Sequence, residues 1–129
     1  MSGASPNQEQ IDRFIVDEID SVPQLEALLL VWNNRPKEWT GDSMARELYV
    51  SPDVAQDILR RLAQRRLIAE VNANSGRYIL LMDSIEREQL LASLDKVYRR
   101  ELVRVSNMIH SKASRAVRDF ASAFRFKKD

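Results

Sequence analysis

There is no cysteine among the 129 residues, so disulfides, thiol nucleophiles and thiolate metal sites are excluded. Histidine is nearly as scarce. His110 stands alone, which leaves no means of building a His-rich metal cluster and a poor basis for acid–base catalysis; a surface or interface position suits it better. The three glycines, Gly3, Gly41 and Gly76, form no phosphate-cradling loop, and no nucleophile elbow is present. Carboxylates are plentiful, but they fall in helical charge patterns that require no chemistry. The expectation is a protein that is not an enzyme and uses no cofactor. Long apolar runs are missing too. The longest, Leu25 to Trp32, is interrupted by Glu26 and is far too short to span a bilayer. The opening MSGASPNQEQ has neither the basic start nor the apolar centre of a signal peptide. A cytoplasmic protein without integral membrane association is expected.

What is present suffices for a core. With 44% apolar residues, a chain of this length can form one compact domain without staples. The net charge of +1 hides a strong asymmetry. Residues 1–30 carry six acids, Glu9, Asp12, Asp17, Glu18, Asp20 and Glu26, against Arg13, a net of −5. Residues 96–129 carry ten Lys and Arg against Glu101, Asp119 and Asp129, a net of +7. Either the two ends pack near each other, within or between subunits, or each is a separately solvated helix face.

Hydrophobic spacing and caps divide the chain. Residues 1–8 read as a disordered leader, too polar to order themselves. Ile11, Phe14, Ile15 and Ile19 mark an amphipathic helix. Ser21 caps the next, with Gln24 three residues on completing a capping box, and Leu25, Leu28, Leu29 and Trp32 as its buried face. Asn33-Asn34-Arg35-Pro36 stops it. Lys37 to Trp39 suits a short first strand.

Trp39 to Met82 carries the clearest signal. Thr40 is placed to cap a helix ending near Leu48, and Ser51 a second with Pro52 at its first position, where no N–H is missed. Ala55, Leu59 and Leu62 share one face of that second helix. Ile68–Val71 and Tyr78–Met82 are rich in strand formers, and Asn72-Ala73-Asn74-Ser75-Gly76 between them is turn chemistry. The expected fold is mainly α with a small antiparallel β wing: a winged helix-turn-helix plus a long C-terminal helix. Residues 9–83 would hold the N-terminal helix and the winged module, and residues 84–129 a C-terminal helical dimerisation region.

On the pattern Met44-Ala45-Arg46-Glu47-Leu48-Tyr49-Val50-Ser51, then Val54, Leu59, Leu62 and Leu67-Ile68, residues 28–82 resemble the winged helix-turn-helix superfamily of bacterial transcriptional regulators, in particular its MarR-like and PadR-like branches. Where that family often has a glycine before the Leu-Ile pair, this chain has Arg66. Either Arg66 takes a left-handed conformation or the helix ends differently. The resemblance makes the helix after Ser51 a recognition helix, with Ser51, Pro52, Asp53, Gln56, Asp57, Arg60 and Arg61 toward double-stranded DNA and Asn74, Ser75 and Arg77 on the wing. Gln56 would pair with adenine, Arg60 with guanine or phosphate, and an Asp with cytosine. The competing structural roles are plain: Asp53 complements the helix dipole, and Asp57 pairs with Arg61 one turn on. Arg60, Arg61, Arg65 and Arg66 either grip phosphates or solvate the helix.

After Ser84, the residues Leu94, Tyr98, Leu102, Val105, Ile109, Ala113, Ala116, Phe120 and Phe124 recur at spacings of three and four. Such a stripe stays on one side of a nearly straight helix for about eight turns. Its surplus over one small domain predicts a homodimer through Leu94, Tyr98, Leu102, Val105, Ile109, Phe120 and Phe124. The alternative is a break at His110-Ser111-Lys112, with the second piece folding back on its own subunit. Lys112 to Lys128 is basic and aromatic, suited to an anionic membrane surface, a partner or phosphates. Two functions are consistent with these residues: a DNA-binding regulator, or an adaptor that docks a protein partner through the recognition helix or the C-terminal helix.

Overall fold

The structure, a computed structural model, describes residues 6–126, with side chains as far as residue 115 apart from that of Ala113. It is mainly α with a two-stranded antiparallel sheet. In chain order the elements are α1 (Gln8–Glu18), α2 (Val22–Asn33), α3 (Gly41–Leu48), α4 (Pro52–Gln64), β1 (Ile68–Glu70), β2 (Tyr78–Leu80), α5 (Ile85–Arg100) and α6 (Leu102–Phe126).

Residues 1–5 of the expected leader lie outside the described residues, but its end is structured. Asn7 caps α1: its Oδ1 accepts from the Gln10 N–H at 2.8 Å while Gln10 Oε1 accepts from the Asn7 N–H at 2.8 Å, which satisfies two orphan donors at once. Ser21 caps α2 as expected, accepting from the Gln24 N–H at 3.2 Å. The return bond differs, since Gln24 Oε1 takes the N–H of Asp20, not that of Ser21. The buried helix α2 touches α3, α4, α5 and β2, which is why Leu25, Ala27, Leu28, Leu29, Val31 and Trp32 are all buried.

Thr40 and Ser43 close a reciprocal capping box at the start of α3, and Ser51 accepts from the Val54 N–H at the start of α4. Tyr49 ends α3 in the left-handed region at φ 58°. At the end of α4, Arg66 takes φ 60°; its N–H bonds Ala63 O, and the Leu67 N–H bonds Leu62 O, each at 3.0 Å. This pair of bonds is a Schellman closure, made here without the usual glycine. Ala55, Leu59 and Leu62 are buried as their spacing requires, joined by Ile58.

The sheet is smaller than expected. β1 and β2 pair as Ile68↔Leu80, Ala69↔Ile79 and Glu70↔Tyr78. Lys37 to Trp39 contributes only a single bridge, Trp39 to Tyr78. The Lys37 N–H is taken by Asn34 O in the turn after α2, and Thr40 already caps α3, so only Glu38 and Trp39 are left to extend.

The C-terminal tract is neither one rod nor broken at His110–Lys112. Ser84 caps α5 as expected, but the helix ends at Glu101, and α6 then runs unbroken through His110. An uninterrupted rod would leave most of its apolar stripe in water. Turning at Glu101 brings α6 onto α1, where Val105 and Ile109 are buried. The two helices run parallel, because Arg104 Nη1 meets Asp12 at 3.1 Å and Lys112 Nζ donates to Ile19 O at 3.0 Å. Leu91, Leu94 and Val97 of α5 join the same core. Of the side chains expected at a dimer interface, Leu94, Val105 and Ile109 are thus buried within one chain, Tyr98 is half-buried and Leu102 is 51% exposed. Those of Phe120 and Phe124 lie outside the described residues.

Candidate nucleic-acid interface

The segment α3–turn–α4–β1–β2 places the ten expected DNA contacts, and it treats them unequally. Ser51, Pro52 and Asp53 are exposed at the first turn of α4, although Ser51 Oγ is engaged as the cap. Asp53 sits where the helix dipole favours an anion. Asp57 Oδ2 bonds Arg61 Nε at 2.9 Å, the pairing one turn apart that competed with a DNA role. That hydrogen bond holds the Arg61 pKa above its ordinary value. Both side chains are exposed, so the pair adds little stability. Arg60 is exposed and makes no ion pair among the described residues.

Gln56 does not join the exposed face. Its Nε2 donates to the Tyr78 hydroxyl at 3.4 Å, and its side chain packs over Gly41, where an added Cβ would lie 2.8 Å from Gln56 Oε1. The amide therefore ties α4 to β2 and the start of α3.

The wing is also partly committed. Asn74 is exposed at the turn with φ 61°, and Gly76 follows at φ 72°. Ser75 Oγ accepts from the N–H groups of Asn72 and Arg77, and the Gly76 N–H donates to Glu70 Oε2 at 2.8 Å. Ser75 thus builds the turn and is only half-exposed. Arg77 Nη1 pairs with Glu38 Oε1 at 3.3 Å, which holds it against the segment before α3 and off the wing tip.

Three side chains of this face, Tyr49, Val54 and Arg46, are given no contact role by the sequence. Tyr49 is 94% exposed in the turn between α3 and α4, and Val54 is 47% exposed on the flank of α4. Arg46 and Arg66, like Arg60, are exposed without an ion pair among the described residues. Arg65, by contrast, is absorbed into the fold, since its guanidinium bonds Asp20, Glu18 and the Asp17 carbonyl. An open cleft of about 470 Å³ lies between Ser21 and Gln24 at the start of α2 and Val54, Asp57 and Ile58 of α4. Among the described residues no three His, Cys, Asp or Glu side chains converge as a metal site requires. No described helix is long and apolar enough to cross a membrane.

No family model matches the chain, and no curated protein matches it. Among solved structures it is similar to RV1404 from Mycobacterium tuberculosis, with a TM-score of 0.48 and 18% identity over 88% of this chain and 81% of that one. At that distance the likeness fixes neither family nor activity.

Proposed function

We propose that this chain is a cytoplasmic winged helix-turn-helix regulator that binds duplex DNA as a homodimer. The observation that carries the reading is the exposure of the whole first turn of α4, Ser51 to Val54, beside a two-stranded wing. A helix presented end-on in this way reaches base edges in a major groove, with the wing alongside. Phosphate binding falls to Arg46, Arg60 and Arg66, since Arg61 and Arg77 are already paired. Asp53 suits cytosine N4. Asp53, without an ion pair among the described residues, repels phosphates at the first turn, so nonspecific affinity is low and discrimination rests on the right bases.

The test is a salt titration of binding to random and selected duplexes. Three arginines from each of two subunits make on the order of six phosphate contacts, a log–log slope near −5. A slope near zero, or no binding at low salt, rejects the reading. The adaptor reading then replaces it, favoured by one specific observation: the Asp57–Arg61 and Glu38–Arg77 pairs neutralise the surface internally, which suits a protein partner better than a polyanion.

A further inference from the structure

Gln24 is the one polar side chain buried among the described residues, at 1% exposed, and its amide is only half satisfied. Oε1 accepts from the Asp20 N–H, which fixes the end that is oxygen. Nε2 has no partner among the described residues. A buried donor of this kind calls for an acceptor that the chain does not supply. Gln24 lines the open cleft of about 470 Å³ between the start of α2 and the side of α4, a volume within the range of small-molecule sites.

The cleft has two poles. At one, Arg65 holds Asp20 at 2.9 Å, so Arg61, one turn earlier on α4, comes beside the start of α2. Arg61 commits its Nε to Asp57 at 2.9 Å, and its terminal nitrogens make no hydrogen bond among the described residues. The N-terminal end of the α2 dipole adds to the positive side, and the Asp20 carboxylate is already answered by Arg65 and Lys112. At the other pole Asp53 is exposed and makes no ion pair among the described residues. It lies one turn before the Asp57–Arg61 pair, ~6 Å at the helical rise. Val54, half-exposed, and Ile58, buried, form the apolar wall between the poles.

We propose that this cleft binds a small basic zwitterion of the lysine or arginine class. Its carboxylate accepts from Gln24 Nε2 and from the free edge of the Arg61 guanidinium, a fork suited to a carboxylate. Its aliphatic stem lies along Val54 and Ile58, as such stems do on apolar surface, and its terminal cation meets Asp53. Each pole excludes a class of ligand. A simple anion is repelled by Asp53, a simple amine leaves Gln24 without an acceptor, and a neutral apolar molecule answers neither. The site does not rest on DNA binding, because none of these contacts involves nucleic acid.

The experiment is heteronuclear NMR on the full-length chain without DNA, titrated with L-arginine and L-lysine. Norleucine, which lacks the side-chain cation, and n-pentylamine, which lacks the carboxylate, probe the two poles separately. Arginine or lysine should move the Gln24 side-chain amide and the backbone amides of Asp53 to Ile58 saturably, with a Kd of about 1 mM or below. Norleucine and pentylamine should bind at least about tenfold more weakly, each lacking one charge-assisted contact. Asp53→Asn should weaken arginine binding by a similar factor with little change in thermal midpoint, because the side chain is exposed. Gln24→Glu keeps an oxygen for the Asp20 N–H, replaces the donor with a carboxylate and should abolish binding; if that variant does not fold, Asp53→Asn and the probe series decide alone. No saturable shift from either amino acid, a Gln24 amide that stays still, pentylamine binding as tightly as arginine, or unaltered affinity in Asp53→Asn overturns the site.

Discussion

Two corners of the molecule carry similar residue types and use them in opposite ways. At the junction of α1, α2 and the end of α4, the carboxylates of Asp12, Glu18 and Asp20 are answered from far along the chain. Arg65 Nη2 donates to both carboxylate oxygens of Asp20 while Nη1 reaches Glu18, Lys112 adds to Asp20, and Arg104 grips Asp12 and Glu101. The bond to Asp12 raises the Arg104 pKa against the opposing effect of burial, with Glu101 adding to the rise. The acidic N-terminal and basic C-terminal regions thus meet within one chain, among the described residues at Asp12–Arg104 and Asp20–Lys112. At the first turn of α4 and the turn before it, charges either pair with a neighbour one turn away or face water, and Tyr49 and Val54 are left exposed. The difference separates charge that holds the fold from charge and apolar surface left facing solvent.

The largest expected effect tests the shared frame. Leu59 is fully buried on the inner face of α4, and Leu59→Ala should cost about 2–5 kcal/mol by chemical denaturation. A cost below about 1 kcal/mol, usual for surface sites, would mean that α4 does not rest on the core as described. Next comes the charged corner. Asp20→Ala leaves Arg65 and Lys112, both roughly one-third exposed, without their shared carboxylate. Charge-assisted bonds at such partly buried sites predict a loss of about 1.5–3 kcal/mol. A change as small as that of an exposed pair would erase the contrast between the two corners.

Tyr98 of α5, half-buried beside α2, adds a pH signature. Its phenol pKa is raised in the folded state by burial and then by Glu26, so the folded chain holds that proton after the unfolded chain has released it. The stability it contributes is complete below about pH 10, the unfolded value, and is lost as pH rises through the folded value. Tyr98→Phe should flatten the alkaline limb of a stability profile measured through pH 10, and an unchanged limb would assign it to other groups.

Arg66 sharpens the comparison from the other side. A non-glycine residue in the left-handed region costs about 1–2 kcal/mol, and glycine there returns part of that as unfolded-chain entropy. Arg66→Gly should therefore stabilise the chain by about 0.5–1 kcal/mol. If Arg66 serves phosphate binding, the same change should lower DNA affinity and reduce the salt slope by about two, one contact per subunit. Stabilisation with unaltered binding would remove Arg66 from the interface.

Local chemistry made the frame legible and tertiary pairing obscured the site. Thr40, Ser51 and Ser84 announce their helices because a cap needs only residues three positions away. Asn7 and Gln10 carried the same box and could have shown that the leader ends before Asn7. The break at Glu101 has no such local mark, because it depends on the burial of Val105 and Ile109 against the core. Gln56 reads as a base contact until Tyr78, 22 residues further on, supplies a hydroxyl for its amide. Arg77 reads as a wing finger until Glu38 meets it. Tyr49 had a signal in the sequence: two capped helices three residues apart need a left-handed residue between them, and no glycine is available there.

The smallest change in stability gives the most direct reading of orientation. Asp57 and Arg61 are both about half exposed, so Asp57→Ala should alter stability by less than about 1 kcal/mol. Its effect on DNA should be visible all the same. Removing the carboxylate abolishes repulsion from phosphates and frees Arg61 to meet one, so nonspecific affinity should rise and the salt slope should steepen by about two for a dimer. Discrimination should fall in parallel, because the gain is indifferent to sequence. Fluorescence anisotropy on a random duplex, across a salt series, reads all of this at once. If affinity and slope stay where they were, the outer face of α4 does not meet nucleic acid, and the exposed corner belongs to a protein partner.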